Sequence, residues 1–143
     1  MRKKETNIEQ TYDYQNEKGK LLFQVVRYSS KEFSQRQPDH PKGWIWNLNG
    51  IQPVLYRLPE LIRSTEPILI VEGEKDVESL RKWGLTATTN PMGAGKWKKE
   101  YDKYLLNKEV ILIPDNDSPG FQHCQQVGAV SYTHLTLPTT PYV

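Results

Sequence analysis

Two stretches decide the fold: Ile68-Leu69-Ile70-Val71-Glu72-Gly73 and Val110-Ile111-Leu112-Ile113-Pro114-Asp115-Asn116-Asp117. Each opens with a short apolar run rich in Ile and Val, without polar alternation. Such runs are strands buried on both faces, as in a parallel sheet. Each then delivers acid at its exit. In open α/β sheets the crevice beyond the carboxyl ends of the strands is where ligands bind. Glu72, Asp115 and Asp117, brought together there, repel one another and therefore hold either protons or a cation. A hard divalent ion such as Mg²⁺, or Mn²⁺ in its place, takes oxygen ligands of this kind. The pattern points to phosphate chemistry.

Outward from these strands the chain alternates strand and helix. Glu74 to Trp83 is polar, with Val77 and Leu80 on one face, and Gly84 is placed to end the helix. Leu85 to Thr89 is a further strand. The loop Asn90-Pro91-Met92-Gly93-Ala94-Gly95 follows, and Trp97, Tyr101, Tyr104 and Leu105 mark one face of a second helix. Ser118-Pro119-Gly120 opens a third helix, with Phe121 and Cys124 facing inward. Upstream, Tyr12-Asp13-Tyr14 and Leu21 to Tyr28 flank Asn16-Glu17-Lys18-Gly19-Lys20 and predict a β-hairpin, while residues 1–10 are polar and expected to fray. Ser34 to Gly50 is polar and interrupted by Pro and Gly, with Trp44 and Trp46 alternating as in a short strand. Val54 to Ile62 leads into a short helix in which Pro59 suits the first turn.

The bulk properties exclude several classes. The chain has 143 residues and net charge +2, which suits one domain or one domain with an appendage. Residues 1–66 carry 11 Lys/Arg against 8 Asp/Glu, and residues 67–128 carry 8 against 9, a basic front beside an acidic back. One cysteine, Cys124, excludes an internal disulfide and any multi-cysteine zinc site, as expected in a reducing compartment. No apolar run approaches the roughly 20 residues of a membrane span, and Met1-Arg2-Lys3-Lys4-Glu5 lacks a signal-peptide core. The expectation is a soluble cytoplasmic protein without a membrane partner.

From about Ala129 the composition changes: residues 129–143 contain no Asp, Glu, Lys or Arg. Val130-Ser131-Tyr132-Thr133-His134-Leu135-Thr136-Leu137-Pro138-Thr139-Thr140 resembles the translation of a transposon-end sequencing adapter. On that resemblance the tail is an artefact set aside from fold reasoning, and the gene continued beyond Gly128.

Glu72-Gly73 after the first strand and Asp115-Asn116-Asp117 after the third, in order across a βαβ pattern, resemble the Toprim domain shared by bacterial-type primases, topoisomerases and some nucleases. The resemblance implies a Rossmann-like, partly parallel sheet with flanking helices over 67–128, lacking its final elements, preceded by a small β-rich region over 1–66. It implies general acid/base work for Glu72 and Mg²⁺ binding by Asp115 and Asp117 together with Glu72. Asp76 matches an acidic position of primase-type members. Asp76 also fits as an ordinary first-turn acid. Lys75, at a helix start whose amides favour anions, is either a phosphate contact or a solvated cation. Gly73 and Gly120 permit close backbone approach to a phosphate. Gly93 and Gly95, with Lys96 and Lys98, either cradle phosphate or form a solvated basic helix start; the spacing is not that of a P-loop. Trp97 reads more readily as core than as a stacking platform.

The front third, with Tyr12-Asp13-Tyr14, Gly19 to Tyr28, Lys31-x-Phe33-x-Gln35-Arg36 and Val54 to Leu61, resembles the region preceding Toprim in phage and plasmid primase-helicases. Arg27, Lys31, Arg36 and Arg57 among Tyr28, Phe33, Trp44 and Trp46 have the mixture that grips single-stranded nucleic acid, or else pack the hairpin onto the sheet. Together the resemblances imply a fragment of a DNA primase. Its parent joins ribonucleoside triphosphates into RNA primers on a single-stranded DNA template for phage, plasmid or bacterial replication. A replicative helicase is the expected partner, on the same polypeptide or a separate one. A Toprim nuclease or topoisomerase, and a non-catalytic nucleic-acid-binding module of a helicase, are the alternatives.

Overall fold

The structure, a computed structural model, describes residues 7–41, 43–93, 95–114 and 135–136. It contains two sheets. Strands β1 (Ile8–Gln15), β2 (Leu21–Tyr28), β3 (Phe33–Asp39) and β4 (Gly43–Ile45) form an antiparallel sheet in that order. Strands β5 (Ile68–Ile70), β6 (Thr86–Thr88), β7 (Val110–Leu112) and β8 (Leu135–Thr136) form a second sheet in the order β6-β5-β7-β8. All its pairings are parallel, with Ile70 opposite both Thr88 and Leu112. Helix α1 (Leu58–Arg63) precedes this sheet, and α2 (Glu74–Arg81) crosses from β5 to β6.

The hairpin turn is held by Asn16, whose Oδ1 accepts the amides of Lys18 and Lys20, both at 2.9 Å. Gly19 takes the left-handed conformation that this turn requires, at φ 89°. At the end of α2, Gly84 at φ 83° lets the Leu85 amide reach back to the Leu80 carbonyl at 3.2 Å, which stops the helix. Pro59 lies in the first turn of α1, where its missing amide costs no hydrogen bond.

Side chains alternate across the parallel sheet, so its two faces build two cores. Ile68, Ile70, Val110 and Leu112 pack on one side with Leu55, Leu58 and Leu61 around α1, and with Trp97, Tyr101 and Leu105. Leu69, Val71, Ala87 and Ile113 lie on the other side with Val77 of α2 and with Tyr12, Tyr14, Phe23, Val25 and Tyr56. The second core therefore joins the antiparallel sheet to the parallel one. Each fully buried Leu or Ile contributes about 1.5–3 kcal/mol relative to exposure.

The structure departs from the sequence reading in four places. Strand β1 begins at Ile8, within the segment expected to fray, because its backbone pairs with β2 from Ile8↔Tyr28 onward. Strand β3 lies in a stretch read as polar and broken; its ladder to β2 uses main-chain groups and needs little apolar character. Strand β4 contains Trp44 but ends before Trp46. The second helix is a 3₁₀ segment over Lys99–Tyr104, starting beyond Trp97. Short segments favour this tighter winding, and the indole of Trp97 is tied to the segment by a bond to Asp102 Oδ1 at 2.9 Å. Trp97, Tyr101 and Leu105 are nonetheless buried, as their spacing required.

Within the tail that resembles an adapter, the backbone of Leu135–Thr136 pairs with Val110–Ile111. The rest of 129–143 lies outside the described residues, as do the expected third helix and Cys124. Among the described residues, no helix is long and apolar enough to cross a membrane.

Candidate active site

Three chain segments leave the parallel sheet at the same end. Glu72 and Gly73 follow β5, the loop from Thr89 follows β6, and Ile113-Pro114 follows β7. The Val71 amide donates to the Thr88 carbonyl at 3.1 Å, and the Ile113 amide donates to the Ile70 carbonyl at 2.9 Å. The exits of β5 and β7 are therefore neighbours, one strand spacing or about 5 Å apart. Asp115, Asp117 and Gly120 continue from the β7 exit and lie outside the described residues.

Glu72 is half-buried, and its Oε2 is screened from solvent. Gly73 is the N-cap of α2 in an extended conformation, so the helix starts immediately beyond the candidate carboxylate. Asp76 and Lys75 are exposed on α2. Lys75 lines a cleft of about 360 Å³ with Glu9, Gln10, Tyr12, Arg27, Glu78, Ser79 and Lys82, which groups it with the hairpin. Among the described residues no three acidic, His or Cys side chains form a metal-binding group.

The loop after β6 is built for sharp turns. Met92, Gly93 and Gly95 have φ of 76°, 84° and 81°. Asn90 is buried, and its amide donates to the Gly93 carbonyl at 2.8 Å and the Pro91 carbonyl at 3.1 Å. Thr88 and Thr89 anchor the start of the loop. The Thr88 hydroxyl donates to the Tyr56 carbonyl at 2.7 Å, and the Tyr56 amide donates to the Thr89 carbonyl at 3.0 Å. Lys96 and Lys98 are exposed beyond it, while Trp97 between them is buried. The loop thus presents cations outward from a fixed base.

Two features beside the site were not found by sequence reasoning. Glu74, at the start of α2, is buried and accepts a 2.6 Å hydrogen bond from the Tyr14 hydroxyl. Burial pushes its carboxyl above the usual range, and the bond from Tyr14 offsets part of that shift. Tyr14 is stacked on Phe23, with ring centroids 4.6 Å apart, so β1 is fastened to the residue after Gly73. The second feature is an ion-pair network. Arg57 bonds Glu78 at 2.9 and 3.0 Å and Glu60 at 3.0 Å, and Arg81 bridges Glu60 and Glu78 at 2.9 and 3.3 Å. Burial alone would raise the Glu78 carboxyl, but Arg57, the Tyr56 hydroxyl and Arg81 outweigh it and hold the group below its usual range. Arg57 takes this position from a left-handed conformation at φ 59°. The network ties α1 to α2.

No family model and no curated protein matches the sequence. Solved structures do match. The crystal structure of the primase fragment of the bacteriophage T7 primase-helicase protein superposes with a TM-score of 0.72 at 20% identity, covering 92% of this chain and 54% of that one. The primase domains of bacteriophage T7, seen with the lagging-strand DNA polymerase and bound to an RNA/DNA hybrid and dTTP, give 0.64 at 19% identity, covering 93% and 66%. The chain therefore has a phage-primase-like fold, and it spans about half to two thirds of these neighbours' length.

Proposed function

We propose that this chain is part of a DNA primase of the phage or plasmid type, with a Toprim domain over 67–128 whose carboxylates work on phosphodiester bonds. The observation that carries the reading is the adjacency of the β5 and β7 exits, fixed by the Ile113-to-Ile70 hydrogen bond. Glu72 follows the β5 exit directly, and the Asp115-Asn116-Asp117 segment, outside the described residues, follows the β7 exit in sequence. The fold likeness to a T7 primase fragment agrees with this reading.

The donors fit a hard cation. Glu72 offers a carboxylate with one oxygen already withdrawn from water, and Asp115 and Asp117, two apart in sequence, would project to one side of an extended chain. Bound there, Mg²⁺ or Mn²⁺ would neutralise charge developing on the phosphates and lower the pKa of an attacking hydroxyl. Asp115 and Asp117 would hold it, with Asp76 as a further acid on α2. Glu72 would accept the proton of the primer 3′ hydroxyl as ribonucleoside triphosphates are joined on a single-stranded DNA template. Lys96, Lys98 and the Gly93 and Gly95 amides would receive triphosphate oxygens, with Gly73 and Gly120 giving the backbone room to approach. A replicative helicase is the expected partner of the parent protein, and the cytoplasm its compartment.

Calorimetric titration of the full chain with Mn²⁺, beside Asp115→Asn, Asp117→Asn and Glu72→Gln, tests the site. Loss of binding in the aspartate variants is expected. Equal affinity in all of them would leave only a nucleic-acid-binding module. Primer synthesis by the full-length gene product, abolished by Glu72→Gln, is the matching activity result.

A further inference from the structure

A row of side chains crosses the antiparallel sheet on the face turned away from the second core. Asp13, Gln24 and Arg36 are register neighbours on β1, β2 and β3. Gln24 donates to Asp13 Oδ1 at 2.6 Å, and Arg36 Nε donates to Gln24 Oε1 at 2.8 Å. The Arg36 guanidinium lies 4.0 Å from the centroid of Trp44, and 5.1 Å from that of Trp46. The alternate residues Tyr12, Tyr14, Phe23 and Val25 point into the core. The row therefore lies on the opposite face of the sheet, with Gln24 buried at its centre, and its arginine is oriented before any ligand arrives.

We propose that Arg36, Trp44 and Trp46 form a platform for single-stranded nucleic acid, outside the crevice of Glu72. Trp46 is 44% exposed, an indole held at the surface where burial does not explain it. A nucleobase stacks on such a ring whatever its sequence, and the guanidinium fork, fixed through Nε by Gln24, has its terminal nitrogens to give to a phosphate. A single strand is preferred over a duplex because only unpaired bases expose their faces for stacking. The basic excess of residues 1–66 adds long-range attraction for the same polyanion. This inference rests on the nucleic-acid reading above but not on the metal site.

The full chain is titrated with fluorescein-labelled dT15 and rU15, without nucleotides or divalent ions, and anisotropy is read. Base stacking is worth roughly 1–3 kcal/mol per base, so Trp46→Leu and Trp44→Leu are each expected to weaken binding about tenfold. Trp46→Phe, which keeps a ring, should recover most of the affinity. Arg36→Gln should weaken binding and flatten its salt dependence. Trp83→Leu, which removes an 81% exposed indole elsewhere, should bind as the parent does. Circular dichroism confirms that each variant is folded. Weakening of either oligonucleotide by the Trp44, Trp46 and Arg36 variants supports the platform. Unchanged affinity for both, or no binding by the parent chain, overturns it. Mn²⁺ titration of the same parent chain reports on the metal site separately, so failure of the platform and failure of the catalytic reading give different results.

Discussion

Replacing Tyr14 with Phe isolates the bond that fastens the antiparallel sheet to the segment carrying Glu72. Tyr14 is fully buried, and its ring is stacked on Phe23 at an interplanar angle of 11°. Phe keeps that ring and its packing, so the change is confined to one hydroxyl. The hydroxyl donates at 2.6 Å to Glu74, itself only 9% exposed. A hydrogen bond to a charged group is worth about 1.5–3 kcal/mol, and a buried acceptor stripped of its donor carries its desolvation cost as well. A loss of about 2–3 kcal/mol is expected, which is tenfold or more in the folding equilibrium. Urea denaturation at neutral pH measures it, as a lower midpoint at unchanged slope. The penalty should shrink in acid: the Tyr14 bond favours ionised Glu74, so Tyr14→Phe raises that carboxyl further, and the difference narrows to that of a neutral hydrogen bond once both proteins are protonated there. A midpoint shift worth less than about 0.5 kcal/mol, or a loss that grows with falling pH, would refute the reasoning.

Two further outcomes follow from the cores and the ion pairs. Because Arg57, Tyr56 and Arg81 hold the Glu78 carboxyl below its usual range, its contribution is fully present above the unfolded-state pKa and is lost as pH falls through the folded one. From about pH 5 downward the urea midpoint of the parent should therefore fall more steeply than that of Glu78→Gln; parallel curves would show that the network carries no net stability. Leu112→Ala should cost about 2–5 kcal/mol by leaving a cavity between the parallel sheet and the Tyr101–Leu105 packing. Leu106→Ala, at a 53% exposed position, should stay within about 0.5 kcal/mol when both variants are compared by urea denaturation.

The parts legible in sequence are those set by local pattern. The apolar runs at 68–71 and 110–113 became adjacent parallel strands because a strand lacking polar alternation can only be buried on both faces. Gly84 ended α2 because a left-handed residue was required there. Strand β3 was not legible, since its residues lie on a partly solvated sheet whose ladder is made by backbone alone. The helical spacing of Trp97, Tyr101 and Leu105 gave the buried face correctly. It did not give the winding, because a 3₁₀ turn and an α-turn can bury similarly spaced residues over so short a length.

The candidate site divides along the same line. Glu72 and Gly73 sit where they do because covalent connection places them directly after a buried strand, and that much the sequence determined alone. The partnership of Tyr14 with Glu74, 60 residues apart, was decided only when β1 packed across α2. The stacking of Arg36 on Trp44 likewise came from the β2-β3-β4 register, which sets neighbours that no spacing along the chain encodes. Local pattern chooses strand and helix through backbone geometry and burial. Contacts between distant side chains depend on how those elements pack, and that is a property of the folded whole.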